Sequence, residues 1–162
     1  MTLAAEAIDA LRTAGATVAT AESLTGGLVC ASLVDVPGAS DVVRGGVVAY
    51  AADVKIGLLG VDASLIAENG TVDAGVAEQM ALGACRVTSS TYGLATTGVA
   101  GPDASEGKPP GTVHVAIAGP GGVRSTLLNL VGDRDTIRRL TVDALLSELV
   151  ARLGEESRSA RG

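Results

Sequence analysis

The sequence predicts an α/β protein built as a three-layer α/β/α sandwich, in which helices cover both faces of a mixed, mostly parallel sheet of about five strands. Two observations lead to this class. Short apolar runs alternate with helical patterns early in the chain, which is typical of parallel strands joined by helices. A later pair of apolar runs flanks a glycine-rich turn, which predicts a late antiparallel hairpin.

The elements of the first half follow from apolar spacing and from turn residues. Leu3, Ile8 and Leu11 recur at helical spacing and Gly15 follows them, so residues 3–14 are predicted to form a helix. The next predicted elements are a strand at 17–21, a helix at 26–34, a strand at 46–51, and short helices at 54–59 and 65–68. Strand and helix therefore alternate over this half.

The second half adds a long helix, the hairpin and a terminal helix. Asp73 is suited to cap a helix that runs to about residue 88, and a third strand follows at 94–97. The predicted hairpin pairs 112–118 with 123–131 across Gly119-Pro120-Gly121-Gly122, and Asp133 starts a helix that ends near Leu153. We expect one domain over residues 1–154 and a frayed polar tail over residues 155–162.

Composition narrows the function classes. The 162 residues carry a net charge of −6 and contain no Phe or Trp, so Ala, Val and Leu must fill a closely packed core. The acidic balance and the lack of a basic aromatic surface argue against nucleic acid as a partner. The chain shows neither a signal peptide nor an apolar run of membrane length, so we expect a cytoplasmic protein without membrane contact.

Metal ligands are sparse. His114 is the only histidine, and it falls in a predicted strand, where a satisfied core or surface histidine is the usual explanation. Cys30 and Cys85 fall in predicted helices without metal-type spacing, and we interpret them as small buried hydrophobic residues. The sequence therefore predicts no metal site and no cofactor.

Ser23 is the leading candidate for a functional residue. It follows the first strand and precedes Thr25, Gly26 and Gly27, so its hydroxyl is expected at the carboxyl edge of the sheet, where ligands of open α/β sheets bind. The third strand ends the same way, in Thr96, Thr97 and Gly98, and both turns are expected to meet in one crevice. The alternative is that Ser23 or Thr25 only caps the next helix.

A nucleophilic serine requires a base, and Lys55 is better placed for this than His114. Lys55 comes shortly after the second strand, and packing against apolar surface would lower its pKa so that a neutral amine could accept the Ser23 proton. The alternative is a solvated helix lysine paired with Asp53.

Two further segments are suited to binding. Residues 98–111 form a long glycine- and proline-containing loop, which is either a lid or binding loop or a plain connector. Arg134 stands at the start of the last helix, followed one turn later by Arg138 and Arg139, and a helix amino terminus beside an arginine suits a phosphate. The alternative is an Asp133 cap with solvated arginines.

Taken together, these motifs resemble the CinA carboxy-terminal domain family, also called the nicotinamide-nucleotide amidohydrolase family. The matching segments are AESLTGG (21–27), DVPG (35–38), GGVVAY (45–50), Lys55 with LLGV (58–61), TGVAGP (97–102), KPPGTV (108–113) and GDR (132–134). Two departures are Leu24, where a cysteine is common, and residues 103–107, which replace a glycine run.

The resemblance implies deamidation of nicotinamide mononucleotide to nicotinic acid mononucleotide and ammonia, without a cofactor, in a homo-oligomer. It implies catalytic positions at Ser23, Tyr50, Lys55 and Thr97. The substrate-binding positions that we expect around them are Thr25, Gly26, Gly27, Gly98, Gly101, Pro102 and Arg134. The oxyanion is expected to meet main-chain N–H groups near Gly26, Gly27 or Gly98. The competing functions are a non-catalytic nucleotide-binding or regulatory module and an amidase for another small amide.

Overall fold

A computed structural model describes residues 1–162 and contains six α-helices and a five-stranded sheet. The helices are α1 (Leu3–Ala14), α2 (Leu28–Val34), α3 (Ala52–Gly57), α4 (Ala63–Asn69), α5 (Ala74–Thr88) and α6 (Arg134–Ser159). The strands are β1 (Val18–Glu22), β2 (Val43–Val48), β3 (Tyr92–Gly98), β4 (Thr112–Gly119) and β5 (Gly122–Asn129). This confirms the α/β class.

The sheet has the order β2-β1-β3-β4-β5. Strand β1 pairs in parallel with both β2 and β3, and β4 is antiparallel to both of its neighbours. Only β4 therefore runs against the others, which confirms the mostly parallel sheet and the late hairpin. Because β1 and β3 are adjacent and parallel, their carboxyl ends lie side by side at one edge of the sheet.

Helices cover both faces of the sheet, as the sequence predicts. The α1, α2 and α6 side holds the larger apolar core, with Leu11, Leu145 and Leu149 fully buried. The α5 side is lined mainly by alanines. There a Cβ added to Gly93 of β3 would lie 2.0 Å from the carbonyl oxygen of Ala81, so helix and strand backbones touch. The chain without Phe or Trp thus packs its layers closely.

Three element boundaries differ from the prediction for identifiable reasons. Strand β2 spans Val43–Val48 rather than 46–51, because the carbonyls of Ala49 and Tyr50 turn away from the sheet to a side chain described below. Helix α2 begins only at Leu28, because Gly26 and Gly27 have φ values of +59° and +103°, in the left-handed region. The hairpin turn is tighter than predicted, since β4 reaches Gly119 and β5 starts at Gly122.

The predicted end of the last helix near Leu153 is wrong, because α6 continues to Ser159. The Glu156 carboxylate accepts hydrogen bonds from the Tyr92 hydroxyl and from Arg152 Nε. Arg152 is buried and also donates to the carbonyls of Ile117 at 2.8 Å and Gly122 at 2.7 Å. Burial and the hydrogen bond to Glu156 raise the pKa of Tyr92 to about 12. The last turns of α6 are thereby tied to β3 and to the hairpin.

We expect a chain ending at Gly154 to melt at a lower temperature, because Tyr92 and Arg152 lose their shared carboxylate. Leaving such groups without a partner costs about 1–3 kcal/mol, which corresponds to a decrease in Tm of about 2–12 °C for a domain of this size. Calorimetry would measure it. A chain lacking only residues 160–162 is the control, and an equal loss of Tm in both chains would contradict the anchoring of the tail by Glu156.

Candidate active site

The carboxyl edge of the sheet brings together the ends of three strands. Ser23 directly follows β1, and a turn closed by the Gly26 N–H on the Ser23 carbonyl at 3.1 Å leads from it into α2. Residues 49–51 leave β2 and enter α3, which carries Lys55. The Lys55 Nζ lies 2.9 Å from the Ser23 Oγ, although 32 positions separate the two residues.

Lys55 is one of the most buried side chains in the protein, at 1% exposure. Besides Ser23 Oγ, its amine donates to the carbonyls of Ala49 at 2.8 Å and Tyr50 at 3.2 Å. The alternative of a solvated helix lysine paired with Asp53 is therefore wrong. Burial lowers the pKa of Lys55 below its ordinary value of 10.5, and the negative charge of Glu106 acts in the opposite direction.

The three acceptors suit both protonation states of this amine. An ammonium has three hydrogens and can donate one to each acceptor. A neutral amine has two hydrogens, and both go to the two carbonyls because a carbonyl can only accept. The lone pair of the Lys55 nitrogen then faces the Ser23 hydroxyl. The geometry thus allows Lys55 to take up the Ser23 proton without moving.

Ser23 opens into a cleft of about 250 Å³. The residues that line it come from the turn after β1, the segment after β2, the α4–α5 connection, the loop after β3 and the start of α6. They are Ser23, Leu24, Tyr50, Thr71, Val72, Gly98, Val99, Ala100, Gly101, Asp103, Ser105 and Arg134. Among the predicted site residues, Thr25, Gly26, Gly27, Lys55, Thr97 and Pro102 lie outside this lining.

Arg134 joins two walls of the cleft. Its guanidinium donates to the carbonyl of Gly101 at 2.7 Å and to the Tyr50 hydroxyl at 3.2 Å. Tyr50 is 63% exposed. It contacts Lys55 through its main-chain carbonyl and Arg134 through its hydroxyl. Asp133 caps α6 by accepting from the Thr136 N–H at 2.9 Å. Arg134 therefore lies in the cleft, with Asp133 as the helix cap.

Arg138 holds the turn that follows Ser23, and it does not line the cleft. Its Nε donates to the carbonyl of Leu24 at 2.8 Å and its Nη2 to the carbonyl of Thr25 at 3.1 Å. The expectation of a solvated arginine at this position is wrong, whereas Arg139 is exposed and pairs with Asp135. The four-residue spacing of Arg134 and Arg138 places both on one helix face, but nothing in the sequence indicates which carbonyls Arg138 binds.

The loop after β3 is fixed against the α4–α5 connection. Glu106 accepts from the main-chain N–H groups of Thr71 at 2.9 Å and Val72 at 3.0 Å, and Lys108 Nζ donates to the Val72 carbonyl at 2.6 Å. Thr97 Oγ donates to the Thr71 carbonyl at 2.8 Å, and no hydrogen bond joins it to Ser23 or Lys55. These contacts fix Thr71 and Val72, which line the cleft together with Ser23. The sequence analysis did not identify the carboxylate of Glu106.

Of the predicted oxyanion donors, the Gly26 N–H is taken by the Ser23 carbonyl, whereas the Gly27 N–H donates to no protein acceptor. The N–H groups of Val29 and Cys30, in the first turn of α2, donate to Glu22. The N–H of Leu24, the residue after Ser23, donates to no protein acceptor, and Leu24 lines the cleft. In serine hydrolases the residue after the nucleophile commonly supplies such a donor.

The remaining candidate residues lie elsewhere. His114 is half-buried in β4, opposite Thr97, and Cys30 and Cys85 are free thiols that are half-buried rather than fully buried. No three His, Cys, Asp or Glu side chains are grouped in a way that could hold a metal ion. None of the helices is both long and apolar enough to cross a membrane.

The fold and the site define an α/β domain with a buried Ser–Lys pair at the edge of its sheet. Residues 1–153 match the CinA C-terminal domain, and the chain belongs to this family. The crystal structure of the competence/damage inducible protein CihA from Agrobacterium tumefaciens superimposes with a TM-score of 0.89. It is 37% identical, with 94% of this chain and 93% of that chain covered.

Other relatives agree with this assignment. A competence-damaged protein (CinA) superfamily protein from Klebsiella pneumoniae superimposes with a TM-score of 0.92 at 27% identity, covering 94% of this chain and 96% of that one. A CinA-like protein from Frankia casuarinae is 51% identical over 138 residues, which are 85% of this chain and 32% of that protein. The chain thus spans about a third of the length of the curated relatives it matches.

The buried amine predicts a distinctive pH dependence of stability. The pKa of Lys55 is lower in the folded state than in the unfolded state, so folding is penalised at pH values where the unfolded chain holds this proton. The penalty is complete below the folded pKa and vanishes as the pH rises toward 10.5. We therefore expect the stability of the wild type relative to Lys55→Met to increase over that window, measured by denaturant unfolding. A difference that does not change with pH would contradict this.

Proposed function

We propose that this domain is an amidohydrolase that converts nicotinamide mononucleotide to nicotinic acid mononucleotide and ammonia. The observation that carries the proposal is the buried Lys55 amine, 2.9 Å from the Ser23 hydroxyl at the foot of a cleft. A pure binding site has no need of such a pair, whereas a Ser–Lys hydrolase depends on it. The identity of the proposed substrate comes from the resemblance to the family's motifs.

The first step forms an acyl-enzyme. The cationic pyridinium ring withdraws electrons from the amide carbon and makes it electrophilic. Ser23 Oγ attacks this carbon while its proton passes to neutral Lys55, and the carbonyl electrons move onto the oxygen. We assign the Leu24 N–H as a donor to that oxyanion, a kind of contact worth about 3–4 kcal/mol in the transition state.

The second step releases ammonia and the third restores the serine. As the carbonyl re-forms, the C–N bond breaks and Lys55 gives its proton to the departing nitrogen. Water then attacks the acyl carbon, with Lys55 again taking a proton, and the bond to Ser23 Oγ breaks as that oxygen regains a hydrogen. The sum is one amide and one water giving one carboxylic acid and one ammonia.

The other cleft residues are assigned to binding and positioning. Arg134 is the candidate for the phosphate, because its guanidinium lines the cleft and can donate further hydrogen bonds beyond those to Gly101 and Tyr50. The protein carries a net charge of −6, so an anionic nucleotide would depend on this local cation. Tyr50 orients Lys55 through its carbonyl, and Thr97 fixes the cleft wall through Thr71.

We expect Ser23→Ala to lower the rate of ammonia release from nicotinamide mononucleotide by at least about a thousandfold while the fold is kept, because no other group can form the acyl bond. A coupled ammonia assay and a circular dichroism spectrum would measure both. Ser147→Ala, an exposed serine on α6, is the control. Near-normal turnover in Ser23→Ala would contradict the assignment of Ser23 as the nucleophile. If the wild type released no ammonia, the remaining functions would be a regulatory module or an amidase for another small amide.

We expect the wild-type kcat/KM to rise with pH through the lowered pKa of Lys55, because only the neutral amine accepts a proton. Lys55→Met should be inactive across the accessible pH range and should show no such rise. A pH profile of both proteins would test this. If high pH restored the turnover of Lys55→Met, Lys55 would contribute charge alone.

A further inference from the structure

Glu22 is a buried acid that the proposed chemistry does not use. Its side chain is 1% exposed, and no lysine or arginine contacts its carboxylate. Oε1 accepts from the Val29 N–H at 2.8 Å and from Thr25 Oγ at 2.6 Å. Oε2 accepts from the Cys30 N–H at 3.0 Å and from Thr20 Oγ at 3.2 Å. Four donors therefore replace water around this carboxylate.

The carboxylate fixes the direction of a chain of hydroxyl groups. Thr25 has one hydroxyl hydrogen, and it points to Glu22. Thr25 Oγ lies 2.8 Å from Thr96 Oγ, so in this contact Thr96 must be the donor and Thr25 the acceptor. Thr96 Oγ is then left with lone pairs only, and it accepts from the main-chain N–H of Ser23 at 3.3 Å. The order runs without a break from Glu22 to the nucleophile.

We propose that Glu22, Thr25 and Thr96 are positioning residues for the nucleophile. The Ser23 main-chain N–H donates to Thr96 Oγ at the end of this series of hydroxyls, and also to the Thr96 carbonyl at 3.0 Å. These two contacts hold the Ser23 backbone beside β3. This keeps the Ser23 Oγ in register with Lys55. Thr25 is fully buried and does not line the cleft, which suits positioning better than the substrate contact expected from the sequence. The inference rests on the proposed function of Ser23.

The structure offers a matched control on the other side of the same carboxylate. Thr20 is as fully buried as Thr25 and Thr96, and it donates to Glu22. The Thr20 hydroxyl is not part of the series of hydrogen bonds that leads from Glu22 to Ser23. Replacing each threonine by valine removes one hydroxyl and keeps the shape, so Thr20→Val reports the structural cost of losing a donor to Glu22.

The test compares kcat, KM and Tm of the three valine variants and of Thr96→Ser. We expect Thr25→Val and Thr96→Val to lower kcat by about 10–100-fold with KM within about twofold, because a small misplacement of a reacting atom has this effect. Thr20→Val should lower Tm to a similar extent yet keep kcat within about twofold. Thr96→Ser, which keeps the hydroxyl, should recover most of the activity. Equal loss of kcat in all three valine variants would overturn the proposal, as would full activity in Thr96→Val.

A second readout separates this inference from the choice of substrate. Phenylmethanesulfonyl fluoride labels an activated serine: Ser23 Oγ bonds to sulfur, fluoride leaves, and Lys55 takes the proton. If the wild type is labelled but releases no ammonia from the nucleotide, the substrate assignment fails, and the labelling rates by mass spectrometry decide the inference. Slower labelling in Thr25→Val and Thr96→Val than in Thr20→Val supports it. A wild type that is neither labelled nor active overturns both proposals.

Discussion

The site depends on the Lys55 amine, which is buried away from water and has three hydrogen-bond partners. Lys55 is surrounded by one hydroxyl and two main-chain carbonyls, and none of these carries a negative charge. Burial of an ammonium is costly, so it lowers the pKa of Lys55 and shifts the amine toward the neutral form, although the charge of Glu106 acts in the opposite direction. The early end of β2 follows from the same requirement, because the carbonyls of Ala49 and Tyr50 serve Lys55 instead of the sheet.

The surrounding structure keeps the serine turn rigid from several sides. Arg138 binds the turn's carbonyls from α6, and Glu22 takes up the N–H groups at the start of α2. The Val29 and Cys30 N–H groups at the amino terminus of α2 are therefore occupied by a buried carboxylate and are not open to the cleft. The cation that faces the cleft is Arg134, from the start of α6. The cleft thus receives its positive charge from the Arg134 side chain, at the first residue of α6.

The sequence was sufficient for the fold and for the meeting of Ser23 with Lys55, because strand ends in a parallel sheet converge at one edge. It was insufficient for Glu22, Arg138 and Glu106. Each of these side chains binds main-chain groups of a segment that only packing brings close, and Arg138 lies 114 positions from Leu24. Main-chain partners leave no pattern in the residue types. The length of α6 was missed for a related reason, since the polar residues that suggested a tail find buried partners.

Helix α6 is a single rod of 26 residues, about 39 Å long at 1.5 Å per residue, and it is fastened at both ends. One end carries Arg134 and Arg138 beside the cleft, and the other carries Arg152 and Glu156 against the hairpin. One continuous helix therefore contributes both to the cleft, through Arg134, and to the anchoring of the hairpin, through Arg152. The register of a single element thus has to satisfy two separate sets of contacts at once.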